Sequence, residues 1–454
     1  MPEYTVSRRR RRTVARLVRF IAPVVAILAL LVALLATLSR AASASSPNSQ
    51  LRYSVVDLGT LSGEGSSVAV AISDSGYIVG VADTLAGTHA AFWRNGAITD
   101  LGTLPAGSDV LEALGVSNRG EFVGHAFNLT TRTALPYFWP RGGAPQALPT
   151  LGVANASASG INDLGEIAGF ASPNMVSDPF DAFGRTYQRH ATVWNQGVIR
   201  DLGTLGGPSS LADGFHPINN RGNVVGAADV DTKINPVSGF YSYHAALWTQ
   251  TTQPHPVVTD LGALTRQPDN AISYAEGINE LDQVVGSALT DVSDTCFGGP
   301  QQWGFLWQLG VMRGLPPLAG DCDAIAQSLN NHGQVVGASF GVSATGELVQ
   351  RPVIWINNQA IDLNTLIPAS SGLTLYFATG INDLGEIVGL GFTPQGMARA
   401  YLLRPALGAT GGEEASSASP SSSARVTSQR DVLSQRDGSW SVEVDLLRLK
   451  GARR

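Results

Sequence analysis

Gly380-Ile-Asn-Asp-Leu-Gly-Glu-Ile-Val-Gly389 is the stretch that decides the fold. Six relatives precede it: AISDSGYIVG ending at Gly80, GVSNRGEFVG at Gly124, GINDLGEIAG at Gly169, PINNRGNVVG at Gly226, GINELDQVVG at Gly286 and SLNNHGQVVG at Gly337. The last glycines of these seven copies lie 44 to 60 residues apart, a period that marks a repeat architecture. Each copy reads as a hairpin corner. Asn-Asp-x-Gly turns the chain, with side chains that bond locally and a glycine that accepts a left-handed backbone. A β-branched run then leads out as a strand. Asp282 stands where the other copies have Gly, so that turn either holds a left-handed aspartate or differs from the rest.

Working outward, two more runs recur. One is DLGTL, at Asp57, Asp100 and Asp201, with DLGAL at Asp260 and DLNTL at Asp362. The other ends in tryptophan, at Trp93, Trp139, Trp194, Trp248, Trp307 and Trp355, while the seventh copy is RAYLL, ending at Leu403. Each unit therefore reads as four short strands, a to d, and four strands repeated seven times predict an all-β, seven-bladed β-propeller. The repeat region opens with a spare strand d, Tyr53 to Leu58, and closes on a blade lacking one. Pairing Tyr53–Leu58 with Ala400–Leu403 would close the ring and remove the open edges.

The first 50 residues fall outside this pattern. Arg8 to Arg12, Arg16 and Arg19 precede the uncharged run Phe20–Leu38, and Ala42-Ser-Ala44 comes next. A basic head before an apolar run stays inside and sends the rest of the chain across the membrane. The run exceeds the roughly 7–15 apolar residues of a signal peptide and approaches the ~20 that span a bilayer. A cleaved signal and a retained anchor helix both stand as expectations. The domain scheme is 1–50 head with signal or anchor, 51–404 propeller, and 405–454 a low-complexity, mostly disordered tail.

Residues 51–404 carry 15 Lys plus Arg against 29 Asp plus Glu, a formal net charge of −14. Such a body does not grip nucleic acid, which needs clustered cations against phosphate. No sequence pattern for a cofactor or metal site stands out. His89, His190 and His244 begin strand c in different blades, so they read as structural partners of a neighbouring loop rather than as one metal site. The recurring tryptophans read as core between blades, with sugar stacking the lesser alternative. Ala69, Ala113, Ala158, Ala275, Ala326 and Ala378 share one position on strand a, nearest the axis. Among their neighbours Glu112, His216 and Glu276 are candidate channel polar residues, available for acid–base work or for bonds between blades. No nucleophile motif accompanies them. Asn128-Leu-Thr and Asn155-Ala-Ser match the glycosylation pattern, which arises often by chance.

The units resemble those of the HAF-repeat family, a set of bacterial repeat proteins expected outside the cell. DLGTL at Asp57 and Asp201, GINDLGE at Gly160 and Gly380, and His-Ala at His89, His190 and His244 carry the resemblance, across nearly all of residues 53–403. The phenylalanine of the family name is mostly replaced, by Ala91, Thr192 and Ala246. The resemblance implies export and carries over no catalytic residue.

The strand order sends b–c and d–a connections to one face, where they are long and unlike one another. The a–b and c–d turns, short and repeated, go to the other. Variable loops on a rigid scaffold are where binding resides. Cys296, in a b–c loop, and Cys322, in the next d–a loop, are predicted to lie together on that face, and export would permit a disulfide. Three functions compete: a surface scaffold binding a protein or glycan, with the membrane a further partner if the helix is retained; a glycosidase or lyase using channel carboxylates; and a structural envelope protein.

Overall fold

The computed structural model describes residues 51–406, except 64, 86, 103–107, 109, 129, 132, 178–186, 236–238 and 268–270. The expected signal or anchor at Phe20–Leu38 and the tail after 406 lie outside the described residues. Among those residues no helix is long and apolar enough to cross a membrane.

Seven four-stranded antiparallel sheets make the seven blades of a β-propeller. Blade 1 shows the plan: strand a is Ser67–Ile72, b Ile78–Thr84, c Gly87–Arg94 and d Ala97–Asp100. Blade 7 takes strand a from Thr374–Ile381, b from Ile387–Phe392, c from Ala398–Pro405, and its fourth strand from Tyr53–Asp57. Tyr53 pairs with Pro405 and Asp57 with Tyr401. Leu58 donates its N–H to the Ala400 carbonyl at 2.9 Å, and Ala406 donates to the Arg52 carbonyl at 2.8 Å. The ring is thus closed by the strand that sequence reasoning paired there.

Each position of the repeat motif has its own structural role. The Ala of strand a faces the last Gly of the motif across the ladder, as in Ala326↔Gly337, and a β-bulge lies next to it at Ala326/Ser328. The bulge brings a carbonyl so close that a Cβ on Gly337 would lie 2.0 Å from the Ile325 oxygen, which excludes any larger residue. The turn glycine is needed for its backbone angle instead. Gly385 holds φ +74°, and Asp282 holds φ +56° at the equivalent position. Asp282 uses the opportunity, because its carboxylate takes Nδ2 bonds from Asn219 and Asn223 of the preceding blade, both at 2.9 Å, and pairs with Arg221.

The paired Asn-Asp residues tie each blade to the next. Asn162, Asn219, Asn279, Asn330 and Asn382 each donate Nδ2 to the backbone carbonyl of the matching residue one blade on, at 3.0–3.2 Å. The second position forms a closed girdle. Side-chain oxygens of Asn118, Asp163, Asn220, Glu280, Asn331, Asp383 and Asp74 each accept a backbone N–H from the blade before, at 2.7–3.0 Å, until the circuit returns to blade 1. The backbone donors of these turns are thereby met, as buried N–H groups require.

Between blades the core is apolar. Trp93, Trp139, Trp194, Trp248 and Trp355 are fully buried, while Trp307 is half-buried. Trp93 packs with Val388, Ala400 and Leu402 of blade 7, and Trp248 with Ala191 and Val193 of blade 3. The tryptophans are inter-blade core.

Candidate functional site

Three histidines are accounted for by His–Asp pairs. His89, His190 and His244 bond through Nδ1 to Asp100, Asp201 and Asp260 at 2.9, 2.6 and 2.9 Å. The same carboxylates accept the N–H of Gly102, Gly203 and Gly262. Each pair locks the start of strand c to the DLG corner of strand d. Burial alone would raise the Asp201 and Asp260 carboxyls; the hydrogen bond and charge of His190 and His244, with the glycine N–H, hold both below the ordinary value.

Arginine replaces histidine in two blades. Arg399 of blade 7 lies 3.7 Å from Asp57 of the closing strand. Arg351 of blade 6 pairs with Asp321 instead, and Asp362 beside it is raised by burial despite the Asn364 bonds and the Arg351 charge.

The three candidate channel residues separate. Glu112 is buried and ion-paired, its Oε2 3.4 Å from His125 Nε2, while His125 Nδ1 meets Ser157 Oγ of blade 3 at 2.9 Å. Its partner His125 lies in the same blade, and it is His125 that reaches blade 3. Glu276 is buried as well. His216 donates its N–H to the Glu276 carbonyl at 3.1 Å and takes one from Ile278 at 3.0 Å, so these two residues adjoin through backbone, while Glu112 sits on blade 2.

His216 owes its place to a feature that the motif count passed over. In six blades the axial Ala precedes the turn Asn or Ser by four residues, as Ala275 precedes Asn279. In blade 4 the equivalent Ala212 precedes Asn219 by seven. The three extra residues carry Asp213–His216 away from the blade's own ladder, which resumes where the Pro217 carbonyl accepts the Val225 N–H, and His216 makes a parallel bridge to Gly277 of blade 5. Phe215 reaches further. Its ring centroid lies 6.3 Å from that of Phe377 in strand a of blade 7. Blades 4 and 7 are three apart on a ring of seven, so this contact spans the interior. The spacing in LADGFHPINN carried the signal.

His216 itself is open to solvent. Protein nevertheless surrounds it, and this desolvation holds its pKa below the ordinary histidine value against the pull of Glu280, Asp74, Asp163 and Asp383. All four are girdle carboxylates, so their fields converge on the interior at His216.

The opposite face carries the long hairpins. Strands Val224–Ile234 and Tyr241–Thr249 of blade 4, and Val284–Ser293 and Pro300–Gln308 of blade 5, run past the ladder length of blade 1. Cys296 at the tip of the blade 5 hairpin is bonded to Cys322 in the link to blade 6, with Cα atoms 6.1 Å apart. Among the described residues one group, Asp294 with these two cysteines, is tight enough for a metal ion, and its sulfurs are already joined to each other. Apolar side chains stand exposed on both faces: Leu85, Met175, Ile234, Val292, Val342 and Met397 at b–c tips, and Leu164, Leu281, Leu384, Val198, Val257, Leu309 and Val311 at a–b and c–d turns. Of the two glycosylation patterns, Asn155 is buried and donates to Ser172 Oγ, while Asn128 ends strand b of blade 2.

No family model matches the chain, and no curated protein matches it either. Among solved structures it is similar to the β-propeller domain of the Trilobed protease from Pyrococcus furiosus, described as having an open velcro topology. The identity is 9%, the match covers 77% of this chain and 95% of that one, and the TM-score is 0.43. A Dyadobacter fermentans protein of unknown function matches at 10% identity over 78% of this chain and 99% of its own, with a TM-score of 0.38.

Proposed function

We propose that this propeller is an exported binding scaffold and that its hairpin-bearing face engages a protein or glycan at the cell surface. The observation that carries the reading is the set of long, unlike b–c hairpins, of which that of blade 5 is fixed by Cys296–Cys322. The b–c tips of six blades expose Leu85, Met175, Ile234, Val292, Val342 and Met397. Loops that differ from blade to blade on a rigid scaffold are where binding resides. The disulfide supports the same reading, since a fixed hairpin has less entropy to lose on binding. Export, and kinship with HAF-repeat proteins, belong to this proposal and rest on the basic head, the apolar run and the shared motifs.

The test is a pull-down with residues 51–406 against cell-wall glycans and surface proteins. Changing Leu85, Met175 and Ile234 together to serine should abolish capture and leave thermal unfolding unchanged. Capture that survives the triple change would move the interface elsewhere.

A further inference from the structure

Three departures from the seven-fold repeat bring aromatic rings to one place. The blade 4 insertion delivers Phe215. The disulfide-held hairpin of blade 5 delivers Phe297, next to Cys296. Blade 7 has a bulge at Leu375/Phe377 in addition to the one at Ala378/Gly380 that matches other blades, and the extra residue is Tyr376. All three side chains are half-buried and pack over one cluster that includes Phe340, Phe377 and Phe392. Tyr376 meets Phe392 edge-on at 5.2 Å. Each departure adds a half-buried ring to the edge of that cluster.

Charge selects the guest. Aromatic faces are electron-rich and attract cations, best when water is partly excluded. The residue beside Phe215 is His216, where the fields of Asp74, Asp163, Glu280 and Asp383 meet. The body as a whole carries −14. An anionic or sugar-acid guest would be repelled, and a neutral apolar guest would gain nothing from the field.

We propose that Phe215, Phe297 and Tyr376 form a binding site for a small organic cation bearing a methylated ammonium group. The rings contact the methyl groups, the girdle carboxylates supply the long-range attraction, and the insertion in blade 4 exists to place Phe215.

Calorimetric titration of the full chain tests this with choline and with 3,3-dimethyl-1-butanol, which has the same shape without the charge. Choline should bind saturably, and the neutral isostere at least about tenfold more weakly. Phe215→Ala should weaken choline by roughly tenfold. Should that variant fail to fold, Phe297→Leu on the exposed hairpin gives the same reading with a smaller loss. Equal binding of the two compounds would overturn the claim of a cation site. So would the absence of saturable choline binding, or choline affinity untouched by both variants.

Discussion

The backbone N–H of Asp383 is held by the carboxylate of Asp74, 309 residues earlier in the chain, at 2.7 Å. This bond completes the girdle across the seam where the last blade meets the first. Elsewhere the circuit alternates carboxylate and amide, Asn118, Asp163, Asn220, Glu280, Asn331, Asp383. Seven is odd, so the alternation fails once, and it fails where Asp383 meets Asp74.

Removing the acceptor there should cost stability, whereas neutralising it should not. Asp74→Ala should destabilise by about 1–2 kcal/mol, since it removes the acceptor of the Asp383 N–H and of Asn118 Nδ2. Asp74→Asn keeps the acceptor and relieves a like-charge contact, so its urea midpoint should match or exceed that of the unchanged protein. A midpoint for Asp74→Asn as low as that for Asp74→Ala would show that the charge, not the bond, matters.

The closing strand should matter as much as the girdle. Deleting residues 51–60 removes Tyr53, buried against blade 7, and leaves Ala398–Pro405 as an open edge. Thermal unfolding should shift to lower temperature and aggregation should rise. A truncated protein as stable as the full one would mean that the ring does not depend on this seam.

The disulfide should be worth about 3 kcal/mol, since it closes a loop of sequence separation 26. The double change Cys296→Ser with Cys322→Ser should lose that amount in denaturant unfolding. Adding reductant to the unchanged protein should reproduce the loss. An effect of reductant on the double variant would point to something other than the bridge.

Equivalent aspartates should respond to pH in opposite senses. The Asp201 carboxyl is lowered in the fold, so its contribution is present above the unfolded value near pH 4 and is lost as pH falls through the lower folded value. Asp362 is raised by burial. Its ionised form is disfavoured in the fold, so it costs stability once pH has risen through both values. At pH 7 Asp201→Asn should therefore destabilise, while Asp362→Asn should be neutral or stabilising. Denaturant midpoints measured from pH 2 to 7 for both variants decide the matter, and a loss of similar size in each would defeat it.

The fold was open to reading because its determinants are local and repeated. Asn-Asp-x-Gly announces a turn whatever surrounds it, and the axial Ala with its facing Gly recurs at fixed spacing. Even for the unusual Asp282, the left-handed region was one of the two outcomes its place in the motif allowed. The candidate site was harder. His216 looks like any residue near the axis until the three extra residues before Asn219 are counted. Nothing in the motif tells that Phe215 will meet Phe377, because that contact depends on blades three apart being bent into one ring. Glu112 illustrates the same limit: its partner His125 lies across the ladder, and the Ser157 that completes the group belongs to the next blade. The disulfide fell between these cases, since the alternation of strand direction was enough to bring Cys296 and Cys322 to one face.

The contact of Ala406 with Arg52 has a further consequence. In blade 1, strands c and d are joined by a short turn, Arg94-Asn-Gly-Ala97. Blade 7 has the same two strands, and there the 2.8 Å hydrogen bond stands where the chain has no peptide link. The seam is in effect a nicked turn, and the ring itself does not dictate which blade carries the nick. A circular permutant that joins Pro405 to Tyr53 through Asn-Gly and opens the chain at Asn95 should rebuild the same ring with the seam moved to blade 1.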